Sequence, residues 1–182
     1  MKRVLVPLAE GFEEIEAVTI IDVLRRAGLR VDVAALGGKR VTGSHGIALD
    51  ADMSIDDARA ADYDLIALPG GMPGTLHLRE DPRVLRLVRE IEAADRHVAA
   101  VCAAPSVLAE AGVLESRHAT VHPSAASFLS GAKLEDARVV RDGKIVTGKA
   151  AGTAMEFAFA LVEQLLGAEA VEEINRSMFA RL

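Results

Sequence analysis

Cysteine and aromatic residues are scarce in this sequence of 182 residues, and each scarcity excludes a class of structure. A single cysteine excludes an intrachain disulfide framework and any metal site that needs several thiolates. Aromatic residues make up only 3% of the chain and tryptophan is absent, so the core must consist mainly of Ala, Val, Leu and Ile. No hydrophobic run approaches the length of a transmembrane helix.

Basic residues are outnumbered by acidic ones, 21 to 27, which gives a formal net charge of −6 at pH 7. This balance argues against nucleic acid or an anionic membrane as the main partner. The apolar run near the N-terminus is too short for a signal peptide, and acidic residues follow it at once. Because 51% of the residues are hydrophobic, enough for a sizeable core, the sequence predicts one domain over residues 1–182, in the cytoplasm.

Short apolar runs alternate with helical patterns along the chain. The predicted strands cover residues 3–8, 30–36, 63–68, 98–101 and 119–122, and hairpins are predicted at 41–51 and 139–147. The predicted helices cover residues 14–27, 56–60, 82–94, 106–111, 154–166 and 168–179. At the start of the fifth of these helices, Thr153 and Glu156 predict a capping box. This alternation predicts an α/β fold with a mostly parallel sheet between helices.

The only cysteine, Cys102, directly follows the apolar run Val98 to Val101, and Pro105 comes three residues later. Proline is tolerated in the first turn of a helix, so the pattern predicts a tight strand-to-helix turn at the cysteine. A helix start favours negative charge, and we therefore expect the pKa of this thiol to lie below its unperturbed value of about 8.5. The alternative is a small buried hydrophobic residue without special reactivity.

Three further features follow predicted strands, as Cys102 does. Glu16 comes after the first strand, Gly70-Gly71 after the strand at 63–68, and His122 at the end of the strand at 119–122. Because the carboxyl ends of parallel strands meet at one edge of a sheet, we expect these features to share one site. A thiol nucleophile needs a proton acceptor, and a reaction at a carbonyl needs N–H donors where the oxyanion develops.

Each of these features also has a structural interpretation. Glu16 lies in an apolar stretch, so we expect it to be buried with a raised pKa, whereas a favourable interaction with the helix start explains Glu13 and Glu14. Gly70-Gly71 is either a plain turn or a close approach of the backbone to a ligand. His122 is either a structural residue or a catalytic one.

No metal site and no cofactor are predicted. Cys102, Glu16 and His122 lack the spacing of metal ligands. No role is assigned to the other histidines, which are His45, His77, His97 and His118.

The first predicted helix is apolar on more than one face. Its apolar residues are Ile15, Ala17, Val18, Ile20, Ile21, Val23 and Leu24. A helix that packs only on a sheet needs a single apolar stripe. The excess predicts a second burial partner, and we expect a homodimer with this helix at or beside the interface.

Six motifs occur in order along the chain: EGFEEIE at 10–16, LRRAG at 24–28, LPGG at 68–71, VCAAP at 101–105, TVHP at 120–123 and GTAMEFA at 152–158. Together they resemble the ThiJ/PfpI superfamily, in the branch of the Parkinsonism-associated protein deglycase and its bacterial relatives. The resemblance covers essentially the whole chain.

This resemblance implies a flavodoxin-like, doubly wound sheet, a homodimer and a reactive cysteine on a nucleophile elbow. It places the cysteine at Cys102, its carboxylic-acid partner at Glu16, the nearby histidine at His122, and the oxyanion N–H donors at Gly71 and Ala103. The implied activity is a glyoxalase that needs neither glutathione nor a cofactor and converts methylglyoxal and related 2-oxoaldehydes to hydroxy acids. Deglycases, oxidative-stress sensors and chaperones are the other activities that the resemblance implies.

At three positions this chain differs from relatives in the superfamily, and two of the differences argue against protease and amidotransferase activity. Intracellular protease relatives have histidine directly after the cysteine, where this chain has Ala103. Amidotransferase relatives have glutamate two residues after the histidine, where this chain has Ser124. Many members of the branch have glycine in place of Ala104, a small change in the same tight space.

Overall fold

A seven-stranded sheet forms the centre of the computed structural model, which describes residues 1–180. The strands of the protein are β1 (Arg3–Leu8), β2 (Arg30–Ala35), β3 (Arg40–Thr42), β4 (Ala48–Asp50), β5 (Met53–Ser54), β6 (Leu65–Leu68), β7 (His97–Val101), β8 (His118–Ala119), β9 (Lys133–Leu134), β10 (Val139–Asp142) and β11 (Ile145–Gly148). The helices are α1 (Glu14–Arg26), α2 (Gly74–Glu80), α3 (Pro82–Ala93), α4 (Pro105–Glu110), α5 (Ala154–Leu166) and α6 (Ala168–Met178).

The central sheet has the strand order β10-β11-β7-β6-β1-β2-β5, and its strands are parallel except for β10. One hydrophobic core packs α1, α5 and α6 against one face, and a second core packs α2, α3 and α4 against the other. The predicted flavodoxin-like α/β fold, with a mostly parallel sheet and helices on both faces, is confirmed. No helix within residues 1–180 is both long and apolar enough to cross a membrane.

Strand register brings the chemistry-bearing residues to one edge. Leu68 of β6 pairs with Ala100 of β7, and Val101 pairs with Gly148 of β11. Cys102 directly follows Val101, and Gly70 follows Leu68 after Pro69, so Gly70 and Cys102 lie side by side above the carboxyl ends of the strands.

Three local predictions are wrong. The strand at 119–122 is only the two-residue β8, which pairs with β9 outside the central sheet. The helix at 56–60 is instead two short 3-10 turns at Ile55–Asp57 and Ala60–Asp62. The capping box does not form, because the Thr153 hydroxyl bonds the backbone of Ala150 and Glu156 pairs with Arg138.

The outer face of α1 stays apolar at the surface. The side of the helix that packs on the sheet is fully buried, but Ile15 and Val18 are 58% and 43% exposed. Ile47, in the turn between β3 and β4, is also 58% exposed, and its N–H donates to the Glu14 side chain at the start of α1. Ile15, Val18 and Ile47 therefore form an exposed apolar face that residues 1–180 do not cover.

Candidate active site

Cys102 occupies a sharp turn between β7 and α4. Its φ of +62° is one that residues other than glycine rarely adopt, at a cost of about 1–3 kcal/mol. The Cys102 N–H donates to the Gly148 carbonyl at 2.9 Å, and the Ala104 N–H donates to the Val101 carbonyl at 3.0 Å. These bonds hold the elbow in place, so the sequence correctly predicts the tight turn.

Glu16 projects from the first turn of α1 and is completely buried. Its Oε2 atom accepts a hydrogen bond from the Gly70 N–H at 2.7 Å, whereas its Oε1 atom has no hydrogen-bond partner within residues 1–180. Burial raises the pKa of Glu16 to about 7, although hydrogen bonds from Gly70 and from the Cys102 thiol oppose the rise. The apolar neighbours of Glu16 correctly predict both its burial and the direction of its pKa shift.

Burial also raises the pKa of the Cys102 thiol, to about 12, and the negative charge of Glu16 and the hydrogen bond to it act in the same direction. The N–H groups of Ala103 and Gly71 lower the thiol pKa by less than these effects raise it. The prediction of a lowered thiol pKa is therefore wrong, because it gave the turn more weight than burial and the adjacent carboxylate. Of the two groups, the Glu16 carboxyl therefore loses its proton more readily than the thiol.

The backbone N–H groups of Gly71 and Ala103 lie near enough to the Cys102 sulfur to favour its ionised form. Gly71 has a φ of +93°, and a Cβ atom there would lie 2.2 Å from the Glu13 nitrogen and 2.5 Å from the Phe12 carbonyl carbon. Backbone atoms cannot move aside as the end of a flexible side chain can, so only glycine fits. Two N–H donors that converge on one sulfur form an arrangement able to hold an oxyanion.

We expect Gly71→Ala to destabilise the protein by about 2 kcal/mol or more, because it adds a backbone clash to an unfavourable φ. It should also displace the Gly71 N–H and slow any reaction that depends on this donor. Urea denaturation together with steady-state kinetics would check both effects. Gly37→Ala is the matched control, because a Cβ atom there meets nothing within 4 Å and φ is not positive. Equal stability of the two variants would contradict the expectation.

His122 lies beside Cys102 but, contrary to the sequence prediction, it is not positioned by a strand of the central sheet. The strand before it is outside the central sheet, but the His122 N–H donates to the Cys102 carbonyl at 2.8 Å. The residue is half-buried, and its Nδ1 atom lies 2.8 Å from the Ser124 hydroxyl. The backbone bond, rather than strand order, places this histidine beside the cysteine.

Glu14 has a role that the sequence interpretation missed. Its buried carboxylate accepts hydrogen bonds from the His45 N–H at 2.6 Å and from the Ile47 N–H at 3.3 Å, and its Oε2 atom lies 2.9 Å from the His45 ring. Burial opposes ionisation, but these bonds outweigh it and lower the pKa of Glu14 to about 2. Glu14 therefore ties the turn between β3 and β4 to the start of α1, next to Glu16.

Glu13, Glu14 and His45 bring their ligand atoms within 4.8 Å of one another, close enough to hold a metal ion. The hydrogen bonds from His45 and Ile47 account for this arrangement without one. The expectation that the protein has no metal site stays a prediction.

Gly70 is a second residue whose role the sequence leaves open. A Cβ atom on Gly70 would lie 2.9 Å from both the Cys102 Cβ atom and the Glu16 Oε2 atom. Gly70 therefore allows the thiol and the carboxyl to meet, and its own N–H holds the carboxyl. A Gly-Gly pair after a strand is compatible with this role but does not identify it.

Comparison with known proteins adds a family and close structural relatives. The model of the DJ-1/PfpI family matches residues 2–164. The Parkinson disease protein 7 homolog of Danio rerio is 38% identical over 99% of this chain and 98% of its own length. The glutathione-independent glyoxalase DJR-1.2 of Caenorhabditis elegans is 34% identical over 93% of this chain and 91% of its own length. The crystal structure of Drosophila melanogaster DJ-1beta superposes with a TM-score of 0.95 at 39% identity, covering 100% of this chain and 99% of that one.

Proposed function

Because this chain belongs to the DJ-1/PfpI family, we propose that it is a glyoxalase that acts on methylglyoxal and related 2-oxoaldehydes without glutathione or a cofactor. The observation that carries the proposal is the contact between the Cys102 thiol and a buried carboxyl, Glu16, whose pKa of about 7 suits proton transfer at neutral pH. The relative from Caenorhabditis elegans that bears the name of this activity supports the proposal.

The first step joins the thiol to the substrate. Ionised Glu16 takes the proton of Cys102 while the sulfur attacks the aldehyde carbon, so no free thiolate has to accumulate. The carbonyl electron pair moves to the aldehyde oxygen, where the N–H groups of Gly71 and Ala103 hold the negative charge. Protonation of this oxygen gives a hemithioacetal and leaves Glu16 ionised again.

The second step moves a proton between adjacent carbons. Glu16, assisted by His122, removes the proton from the former aldehyde carbon to give an enediol, and a proton then returns to the neighbouring carbon. The product is a thioester of Cys102 with a 2-hydroxy acid, in which one carbon is oxidised and its neighbour reduced. Water cleaves the thioester and releases the hydroxy acid, which is lactate when the substrate is methylglyoxal. The reaction therefore needs no external oxidant or reductant.

A steady-state assay with methylglyoxal in the absence of glutathione tests the proposal. We expect lactate to form in proportion to methylglyoxal consumed. The deglycase activity, release of 2-oxoaldehyde adducts from amines or thiols, would use the same attack by Cys102 and is tested with the same enzyme on a preformed adduct.

A cysteine-based oxidative-stress sensor or chaperone is the second candidate. Cys102 is the only thiol, and the N–H groups of Gly71 and Ala103 that would hold an oxyanion could equally hold the oxygens of a sulfinate. Peroxide treatment that converts Cys102 to the sulfinate, in a protein that does not consume methylglyoxal, would favour this candidate over the enzyme.

The same protein is proposed to act as a homodimer. The exposed apolar face of Ile15, Val18 and Ile47 supports this assembly, because surfaces that concentrate large apolar side chains are typical of interfaces. Dimerisation would bury the face and would also fix the start of α1, which carries Glu16.

We expect the wild-type protein to sediment as a dimer at micromolar concentration. The double substitution Ile15→Lys and Val18→Lys should shift it to the monomer, because burying two additional charges is costly. Leu134→Lys is the control, since Leu134 is also exposed but lies in β9, outside the central sheet. A wild-type monomer, or a double variant that dimerises as well as the control, would contradict the assignment.

A further inference from the structure

His122 caps a short 3-10 helix with its ring. The helix spans Pro123–Phe128, and the His122 Nδ1 atom accepts a hydrogen bond from the Ser124 N–H at 3.3 Å. A backbone N–H can only donate, so Nδ1 carries no proton in this arrangement. The Ser124 hydroxyl, 2.8 Å from the same atom, then also donates to it.

Two donors on Nδ1 determine the tautomer of the neutral ring. A neutral imidazole carries one proton, and this proton must lie on Nε2. Within residues 1–180, Nε2 forms no hydrogen bond, whereas the backbone of His122 is bonded to the Cys102 carbonyl. The ring therefore offers one free donor, on a residue whose backbone is bonded to that of the nucleophile.

We propose that Ser124 is a positioning residue that holds His122 as the Nε2–H tautomer, so that His122 donates a hydrogen bond to the second carbonyl oxygen of a 2-oxoaldehyde bound at Cys102. This inference rests on the proposed glyoxalase function. It adds the residue that sets the direction of the hydrogen bond, and it names the part of the substrate that the histidine recognises.

The chemistry of the second step requires a donor at this oxygen. When Glu16 removes the proton from the hemithioacetal carbon, the electron pair of the broken C–H bond forms the enediol double bond, and negative charge moves to the neighbouring oxygen. An N–H donor stabilises that charge, whereas the other tautomer would direct a lone pair at it. A simple aldehyde has no oxygen at this position and gains nothing from the donor, so the arrangement favours 2-oxoaldehydes.

Ser124 could instead serve only to stabilise the 3-10 helix. The two roles differ in what a variant changes. Loss of a purely structural hydroxyl lowers stability without changing which ring nitrogen is protonated. Loss of a positioning hydroxyl changes the tautomer and the rate of the chemical step.

Nitrogen NMR of protein labelled in its histidine rings measures the tautomer directly, and the signals of His122 are those absent from His122→Gln. We expect the wild-type ring to be in the Nε2–H form. In Ser124→Ala only the longer bond from the backbone N–H of residue 124, at 3.3 Å, is left on Nδ1, so the Nδ1–H form should become detectable. With methylglyoxal, kcat of Ser124→Ala should fall by about tenfold with little change in KM, the effect of losing one hydrogen bond. Ser124→Thr, which keeps the hydroxyl, should restore both the tautomer and kcat.

Ser127→Ala is the matched control, because Ser127 is an exposed serine of the same short helix. It should leave the tautomer and kcat unchanged. A Ser124→Ala variant with unchanged tautomer and kcat would overturn the positioning role alone, whereas a wild-type ring protonated on Nδ1 would overturn both the positioning role of Ser124 and the donor role of His122. Absence of 2-oxoaldehyde turnover in the wild-type protein would overturn the proposed function and the donor role with it.

Discussion

Replacing Cys102 with serine should lower kcat/KM for methylglyoxal by on the order of 10³-fold or more, because the side chain that forms the covalent intermediate is lost. Serine is nearly the same size but a much weaker acid than a thiol. Glu16, with a pKa of about 7, cannot take a proton from an alcohol as readily as from the thiol. The fold should remain, because backbone hydrogen bonds hold the elbow in place.

Steady-state kinetics and circular dichroism of the two proteins check this expectation. Cys102 is the only cysteine, so every thiol measurement reports on it alone, and the serine variant is the blank. Thiolate absorbance should appear only well above pH 8.5, in line with the raised pKa of the thiol. Undiminished activity in the variant would show that Cys102 is only a small hydrophobic side chain in the core.

The sequence predicts the elbow and the sheet because both depend on local patterns. The apolar run before Cys102 and the proline after it define a strand and a helix start, whatever the rest of the chain does. The burial of Glu16 follows in the same way from its apolar neighbours in α1. In each case the signal lies within a few residues of the position that it concerns.

The error in the thiol pKa and the missed role of Glu14 concern interactions between residues that are distant in sequence. The thiol pKa depends on burial and on a carboxylate 86 positions earlier in the chain. Glu14 resembles an ordinary acid at a helix start, and only the fold brings it to His45. The role of Ser124 likewise depends on the position of the His122 ring, which two residues of sequence cannot specify.

Glu16→Gln should keep the fold and reduce turnover of methylglyoxal by about 10²-fold to 10⁴-fold, the usual contribution of a positioned general base. Glutamine can still accept a hydrogen bond from the Gly70 N–H, but it cannot take a proton from Cys102 or from the hemithioacetal. The wild-type kcat/KM should rise with pH through about 7 as Glu16 ionises, and the variant should lack this rise. Full activity in the variant, or an unchanged pH profile, would contradict the assignment.

The same substitution should also change how stability depends on pH. The pKa of Glu16 is about 7 in the folded protein and near 4.5 in the unfolded chain, so between these values the folded state binds more protons. Wild-type stability should therefore fall as the pH rises from 4.5 to 7, by about 3 kcal/mol if the full shift is realised. The glutamine variant has no such titration, so it should gain stability relative to wild type across this range in urea denaturation.

Glu14→Gln, two positions earlier in α1, is the matched control, and its effect on stability should be opposite to that of Glu16→Gln. The folded pKa of Glu14 is lowered to about 2, so its ionised form stabilises the protein above pH 4.5, and that stabilisation is lost as the pH falls towards 2. This variant should therefore be less stable than wild type at pH 7, with the difference shrinking at low pH. The same pH trend in both variants would show that the change at Glu16 comes from packing rather than from its carboxyl proton.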